Sequence, residues 1–143
     1  MDVRAERVIS GPPEKVAGYV MDYRHDPDWT AIKTVALTGE APGGGFGAGA
    51  QVTRTAFFLG RRTDYVMNVE RYDPPSVMEM RSVRAPFPMQ VTYQFQPHPE
   101  GTLVSIRIRS DGGRLMRMAG PLMRATVLAT IRGDLKSLSG SVS

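Results

Sequence analysis

The chain has 143 residues, no cysteine and a formal net charge of +4. This length predicts a single domain over residues 1–143, and the lack of cysteine excludes disulfides and cysteine-based metal sites. The polar N-terminal MDVRAERVIS is unlike a signal peptide, and no run is apolar enough to span a bilayer, so we expect a cytoplasmic protein without stable membrane insertion.

The basic residues do not predict a nucleic-acid surface. They are mostly arginines scattered along the chain, and no run of five or six basic residues occurs. The aromatic residues do not alternate with them as they do on a surface that stacks single-stranded bases. We therefore expect no nucleic-acid partner.

The first part of the chain predicts a strand, two short helical segments and a second strand. The first strand is expected over Val3–Ser10. A helix is expected over Pro13–Asp22, because proline suits the first helical turn and an apolar face follows. Pro27 favours the start of a second helical turn, and Ile32–Thr38 is the next predicted strand.

An acidic segment joins these elements and holds the most plausible metal ligands. Asp22, His25, Asp26 and Asp28 are close in sequence, and a metal site needs about three convergent ligands of this kind. Their spacing on a short turn favours helix capping and solvation instead. No metal and no other cofactor is predicted, and both His25 and His98 are expected to be exposed.

Trp29 and the glycine-rich segment that follows each allow two interpretations. Trp29, the only tryptophan, is better explained as an anchor at the edge of the core than as a ligand contact, although it stays among the binding candidates. Gly39–Gly49 resembles a phosphate-binding loop in composition only, because no Lys-Ser/Thr and no helix follow. We expect a mobile loop beside a pocket mouth.

From Ala50 onward the sequence predicts consecutive hairpins. Apolar and polar residues alternate, which indicates strands with one buried face, and short turns join antiparallel neighbours. In Met89–Gln96 the apolar face holds Met89, Val91, Tyr93 and Phe95. The five predicted strands are Gln51–Leu59, Arg62–Tyr72, Val77–Arg84, Met89–Gln96 and Thr102–Arg109.

The C-terminal segment Arg114–Leu138 predicts a long amphipathic helix. At helical spacing one broad side is apolar, while arginines and lysine gather on the other. Pro121 is expected to kink or break this helix, because it lacks a backbone donor. The apolar side holds Met116, Ala119, Met123, Val127, Ile131 and Leu138, widened by Leu115, Leu122, Thr126 and Ala129.

Together these elements predict an α+β fold with β-α-α-β6-α order. A twisted, curved antiparallel sheet of seven strands would wrap around the single long helix. Side chains need not fill the space between sheet and helix, so an interior cavity is expected.

Four segments give this chain a resemblance to the START-like superfamily, the polyketide cyclase/dehydrase-like proteins of helix-grip fold. They are ISGPPEKVAGYVMDYRHDPDW, VERYDPPSVMEMRS, EGTLVSIRI and the terminal DLKSL, and they extend over essentially the whole chain. The resemblance implies a hydrophobic cavity between sheet and helix that binds lipids, polyketides or aromatic compounds. Some members cyclise polyketides. The chain departs from the family pattern at the small Ala17 and Gly18.

Polar residues in the middle of strands are the candidates for chemistry. They are Arg54, Asp64, Tyr65, Arg81 and Tyr93. Strand parity leaves open which of the first four point inward, whereas Tyr93 lies on an apolar face and needs a buried partner or a ligand. Tyr93 and Arg54 are the first catalytic candidates, and whether any reaction is catalysed stays open.

The ligand-binding candidates combine adaptable methionines with residues of the apolar faces. Methionine is unbranched and polarizable, so it suits a pocket that moulds to an apolar guest, although plain core filling is the alternative. The candidates are Trp29, Met67, Met78, Met80, Met89, Tyr93, Phe95, Leu122, Met123, Thr126 and Val127.

The primary functional hypothesis is binding of a hydrophobic small molecule or lipid in the interior cavity. The alternative is a polyketide cyclase or dehydratase that acts on aromatic or polyketide compounds. A protein adaptor is a third hypothesis, based on the basic side of the terminal helix. A homodimer is also possible, through exposed sheet edges or through Leu128 and Met118.

Overall fold

The computed structural model describes residues 1–58, 60–111 and 113–142, with side chains of the terminal helix described from Gly120 onward. The helices are α1 (Pro13–Val20), α2 (Asp26–Trp29) and α3 (Gly113–Val142), with a 3-10 turn over Tyr23–His25 before α2. The strands are β1 (Asp2–Ile9), β2 (Thr34–Gly39), β3 (Gln51–Phe58), β4 (Arg61–Asp73), β5 (Val77–Arg84), β6 (Gln90–His98) and β7 (Gly101–Arg109).

The seven strands form one antiparallel sheet in the order β1-β7-β6-β5-β4-β3-β2. Every strand from β2 to β7 pairs with its neighbour in sequence, as the short turns predict. β1 pairs with β7, with Asp2 opposite Arg109 and Ile9 opposite Thr102. The α+β fold and the seven-stranded antiparallel sheet are therefore confirmed.

The core lies between the inner face of the sheet and α3. Val91, Tyr93 and Phe95 on β6 are buried, as their alternation predicts. α3 contributes Ile131, Leu135, Leu138 and Val142 to the same apolar cluster. Sheet and helix thus cover one another's apolar faces.

The buried side of α3 is narrower than predicted. Met123, Ile131 and Leu138 are buried as expected, but Leu122, Thr126 and Ala129 are exposed. Leu135, absent from the predicted face, is buried instead. The predicted stripe was too wide because a helix against one sheet buries only the residues that face it. Met116, Ala119 and Leu115 lie outside the described side chains.

Pro121 lies inside α3, which runs from Gly113 to Val142 without interruption, so the predicted break is wrong. Helices tolerate an internal proline where packing of later turns holds the segment together. Buried Met123 and Ile131 are such packed positions. The other predicted bounds agree with the structure to within one to four residues.

Candidate functional site

A cavity of about 250 Å³ lies between the sheet and α3. Its walls come from β3, β4, β6 and β7 on one side, from α3 on the other, and from the α2–β2 connection. Apolar side chains form most of the surface, because the inward-facing residues of each strand are those of the predicted apolar faces. They include Ala56, Phe58, Met67, Met89, Val91, Ile106, Val127 and Ile131.

The cavity has a polar end, built from residues on two non-adjacent strands and the helix. Arg54 of β3, Tyr93 of β6 and Asp134 of α3 all line it. Arg54 Nη1 donates to Tyr93 Oη at 3.3 Å. The two catalytic candidates predicted from the sequence are therefore in contact with each other inside the cavity.

Asp26, which does not line the cavity, forms an ion pair with the Arg54 guanidinium. Asp26 Oδ2 lies 2.9 Å from Arg54 Nη2, and both side chains are almost fully buried. Burial raises the pKa of Asp26, and Arg54 partly offsets this. Burial alone would lower the pKa of Arg54, but Asp26 and Tyr93 raise it, so Arg54 remains a cation.

Tyr93 is protonated in this environment. Burial raises the pKa of its phenol, an effect that the nearby Arg54 reduces only in part. Since the hydroxyl oxygen accepts from Arg54, the phenolic proton remains available for another acceptor.

Asp134 supplies a second carboxyl group to the polar end. It is half-buried, and its Oδ1 accepts a hydrogen bond from the Ala31 backbone N–H at 3.2 Å. Burial raises the pKa of Asp134 to about 6, against the smaller lowering effects of Ala31 and Arg54. This carboxyl group can therefore exchange a proton near neutral pH.

Two buried donors beside the cavity have no hydrogen-bond acceptor among the described residues: Trp29 Nε1 and Arg54 Nε. An unpaired buried donor costs about 1–3 kcal/mol. A bound water or a ligand can supply such an acceptor.

Six of the predicted binding residues line the cavity, and five do not. Those that line it are Trp29, Met67, Met89, Tyr93, Thr126 and Val127. Thr126 does so from an exposed position, and its Oγ1 donates to the Leu122 carbonyl at 2.9 Å rather than facing the interior as predicted.

The other five predicted binding residues lie elsewhere, for different reasons. Met78, Met80 and Phe95 are buried in the core, where other side chains already cover them. Met123 packs on Phe87 in a small apolar cluster next to the cavity. Leu122 is 72% exposed, because it lies outside the buried side of α3.

Of the three remaining mid-strand candidates, one lines the cavity and two are exposed. Tyr65 lines the cavity, and burial raises its pKa. Asp64 is exposed and accepts from Thr55 Oγ1 at 2.8 Å. Arg81 forms an exposed ion pair with Glu70. Only Tyr65 therefore joins Arg54 and Tyr93 at the cavity.

In the acidic segment the prediction is confirmed for Asp22 but is wrong for Asp26. Asp22 does cap the 3-10 turn, since its side chain accepts from the Arg24 N–H. Asp26, expected to be solvated, is 1% exposed because Arg54 replaces its water. Within the described residues no group of three or more potential metal ligands converges.

Both histidines are half-buried, so the prediction that they are exposed is wrong. The His25 ring stacks on Tyr19 with centroids 4.1 Å apart, and its Nδ1 lies 3.0 Å from the Tyr19 carbonyl oxygen. His98 Nδ1 accepts from the Glu100 N–H at 3.0 Å within its turn. Local contacts that sequence patterns do not reveal cover both rings.

The glycine-rich loop does not border the cavity. Phe46 of this loop packs between Tyr23 and Tyr72, with centroid separations of 5.5 and 5.4 Å. Tyr72 lies near the end of β4, whereas the β4 residues that line the cavity, Tyr65 and Met67, lie in its first half, so the loop belongs to the other end of the sheet. Its predicted place beside the pocket mouth is wrong.

Of the residues named for a dimer contact, Leu128 is half-buried against the core rather than displayed on the charged side. Met118 lies outside the described side chains.

Sequence reasoning missed Asp134 and the pairing of Asp26 with Arg54. Asp134 had a usable signal, because it is three residues after Ile131 and four before Leu138, both on the apolar side of α3. An acid at that spacing faces the interior. Asp26 had none, because its partner Arg54 is on a distant strand.

A family model described as "Polyketide cyclase / dehydrase and lipid transport" matches residues 1–142. Among curated proteins, none matched the sequence. No helix in the described part of the chain is long and apolar enough to cross a membrane.

Several solved structures share the fold. A protein from Thermus thermophilus has a TM-score of 0.82 and 22% identity over 99% of this chain and 97% of its own. A START superfamily protein from Mycobacterium smegmatis has a TM-score of 0.80 and 15% identity, covering 99% and 96%. The Zhui aromatase/cyclase from Streptomyces sp. R1128 has a TM-score of 0.77 and 14% identity, covering 99% and 93%.

Proposed function

This chain belongs to the polyketide cyclase / dehydrase and lipid transport family, and from that premise we propose that it binds a small, mostly apolar molecule in its interior cavity. The ligand carries an oxygen acceptor, carboxylate or enolate at one end. The observation that supports this proposal is the apolar cavity of about 250 Å³ with Arg54 and Tyr93 at one end.

The dimensions and lining of the cavity limit the ligand class. Small-molecule pockets span about 300–1,000 Å³, so this cavity lies just below that range and suits a compound of one to three rings or a short acyl chain. Aromatic and methionine side chains such as Phe58, Met67 and Met89 suit flat apolar rings.

The polar end gives the ligand its orientation. Arg54 is a buried cation, and Asp26 neutralises its charge through an ion pair at Nη2. Its Nε still has no hydrogen-bond acceptor within the described chain. Tyr93 retains a proton to donate. An oxygen atom placed here accepts from both groups, and hydrogen bonds to charged donors contribute about 1.5–3 kcal/mol.

Paired ligands test this proposal. Isothermal titration of the full chain with 2-naphthoate and with naphthalene compares one ring system with and without a carboxylate. We expect naphthoate to bind at least about tenfold more tightly. Tyr93→Phe should reduce that preference while leaving naphthalene affinity unchanged. If neither compound binds, or if naphthalene binds equally well, the proposal is wrong.

A second function, proton-transfer catalysis on a polyketide-like compound, has one specific observation in its favour. Asp134 has a pKa near 6 and lines the cavity that Arg54 enters. In this scheme the Asp134 carboxylate removes a proton from carbon next to a ketone. The electron pair moves to the ketone oxygen, and Arg54 stabilises the resulting enolate.

Deuterium exchange tests the catalytic alternative without a known substrate. An aromatic 1,3-diketone is incubated in D₂O with the wild-type chain or with Asp134→Asn, and incorporation at the α-carbon is followed by NMR. Faster exchange that the substitution abolishes supports catalysis. Equal exchange with both proteins would contradict catalysis by Asp134 and leave ligand binding as the one proposed function.

A further inference from the structure

We take the end of the sheet at the β3–β4 hairpin as the mouth of the cavity, because Phe57 there both lines the cavity and is exposed to water. Phe57 is 63% exposed and Leu122 is 72% exposed. We call these two residues, together with Phe58 and Phe87, the rim: Phe57, Phe58 and Phe87 line the cavity, and Leu122 lies on α3 next to Met123, which packs on Phe87. Isolated exposed apolar residues are ordinary, but a contiguous group of them marks an interaction surface.

Contacts connect the aromatic residues of the rim to α3. The Phe58 and Phe87 rings lie 5.9 Å apart, and Phe87 packs on Met123, the helical neighbour of Leu122. Phe57, Phe58 and Phe87 also line the cavity. The rim therefore continues the apolar cavity wall out to the surface.

Basic side chains flank the rim. Arg61 and Arg62 lie opposite Phe58 and Phe57 in the β3–β4 hairpin. Arg84 ends β5 and Lys33 precedes β2, at the same end of the antiparallel sheet. All four are exposed, and none forms an ion pair with another described residue.

Acidic groups at this end of the sheet are fewer and mostly engaged. Asp2 pairs with Arg107, and Asp64 accepts from Thr55. The opposite end, where β2, β4 and β6 finish, carries Glu40, Asp73 and Glu100. Exposed Asp111, after β7, lies at the mouth end as well, so the four exposed basic residues that flank the rim give this end a local excess of positive charge.

We propose that the rim and its flanking arginines dock the cavity mouth onto an anionic lipid bilayer. Exposed phenylalanine and leucine insert at the boundary between headgroups and acyl chains, and arginines contact the lipid phosphates around them. An anionic leaflet attracts basic residues that lie close to its surface. The proposed binding is peripheral and reversible.

The rim favours a bilayer over an acidic protein. A basic surface would attract an acidic protein as well as an anionic bilayer. The Phe57, Phe58 and Phe87 rings, however, continue into the apolar cavity, so an apolar ligand could pass along them from the acyl chains of a bilayer into the cavity. The inference goes beyond the proposed function, since it concerns how an apolar ligand enters without crossing water.

Vesicle flotation of the full ligand-free chain tests this inference. The vesicles are phosphatidylcholine alone, or phosphatidylcholine with about 30% phosphatidylserine, at low and high salt. We expect flotation only with the anionic vesicles and its loss at high salt. Phe57→Ser/Leu122→Ser should weaken flotation at least about fivefold, and Arg61→Glu/Arg62→Glu at least about tenfold.

Arg7→Glu/Lys15→Glu is the matched control, because it makes the same charge change at exposed residues of β1 and α1 away from the mouth. Flotation of this control should stay near the wild-type value. No flotation, equal flotation with neutral vesicles, or equal loss in the control would overturn the inference. Retained naphthoate binding alongside absent flotation would show that docking fails while the proposed ligand function stands.

Discussion

Asp26 fixes Arg54 in position, through an ion pair of 2.9 Å between two side chains that are both almost inaccessible to water. Asp26 does not line the cavity, whereas Arg54 does. Asp26 therefore neutralises and positions the Arg54 guanidinium, and Arg54 is the member of the pair that a ligand in the cavity can contact.

Arg54→Met should destabilise the fold strongly. The substitution leaves the Asp26 carboxylate buried without its cation, and breaking a buried pair in this way costs about 3–5 kcal/mol. Urea denaturation followed by circular dichroism measures the loss. The double variant Arg54→Met/Asp26→Leu, which removes both charges, should recover at least about 1 kcal/mol. If it is less stable than Arg54→Met alone, the ion pair does not explain the loss.

The pKa of Asp134 predicts a pH dependence of stability. Its pKa is about 6 in the folded chain against 3.8 ordinarily, so the folded state holds the proton more tightly. The stabilisation is complete below about pH 3.8 and is lost as the pH rises through about 6. Partial exposure limits the effect to about 1–2 kcal/mol.

Asp134→Asn isolates this contribution, because asparagine keeps an acceptor for the Ala31 N–H and cannot ionise. We expect wild type to lose stability relative to the variant between pH 4 and pH 7, measured by urea denaturation at each pH. A difference that does not change over this range would show that Asp134 titrates normally.

Ala56→Phe should block the cavity without unfolding the chain. Ala56 lines the cavity, so a benzyl side chain there occupies the space that a ligand needs. We expect naphthoate affinity to fall at least about tenfold, with the unfolding free energy within about 1–3 kcal/mol of wild type. Isothermal titration and urea denaturation provide the two values.

Ala36→Phe supplies the matched control for Ala56→Phe, because Ala36 is exposed on β2 and does not line the cavity. It should leave naphthoate affinity unchanged. Equal losses of affinity in both variants would mean that the ligand binds elsewhere.

Pro121→Ala should stabilise the chain. Inside α3, proline removes one backbone hydrogen bond and its ring crowds the preceding turn, which costs about 3 kcal/mol or more in a regular helix. Alanine makes the unfolded chain more flexible, which offsets part of the gain. We expect a net gain of about 1–2 kcal/mol by urea denaturation. A loss of stability would indicate that the proline is required where it lies.

The sheet was predictable because most strands carry a clear local pattern. In β6 and β7 the alternation of apolar and polar residues marks both the strand and its buried face. The 3-10 turn was not foreseen, because its cap depends on a single contact between Asp22 and the Arg24 N–H. The helix bounds shifted because packing, rather than propensity, extends α3 to Val142.

The polar end of the cavity was predictable only in part. Tyr93 was assigned to the interior because its strand alternates cleanly, whereas β3 alternates too weakly to orient Arg54. That Arg54 reaches Tyr93 depends on the curvature of a sheet in which β3 and β6 are not neighbours. A pattern within one segment does not contain such a contact.

The pairing of β1 with β7 has a consequence for synthesis of the chain. β1 is an edge strand, and its one partner in the sheet occupies residues 101–109. β1 therefore leaves the ribosome long before β7, the strand with which it forms hydrogen bonds, has been made. Closing so long a loop delays completion of the sheet, and the nascent chain must keep an unpaired strand from aggregating until β7 has been translated.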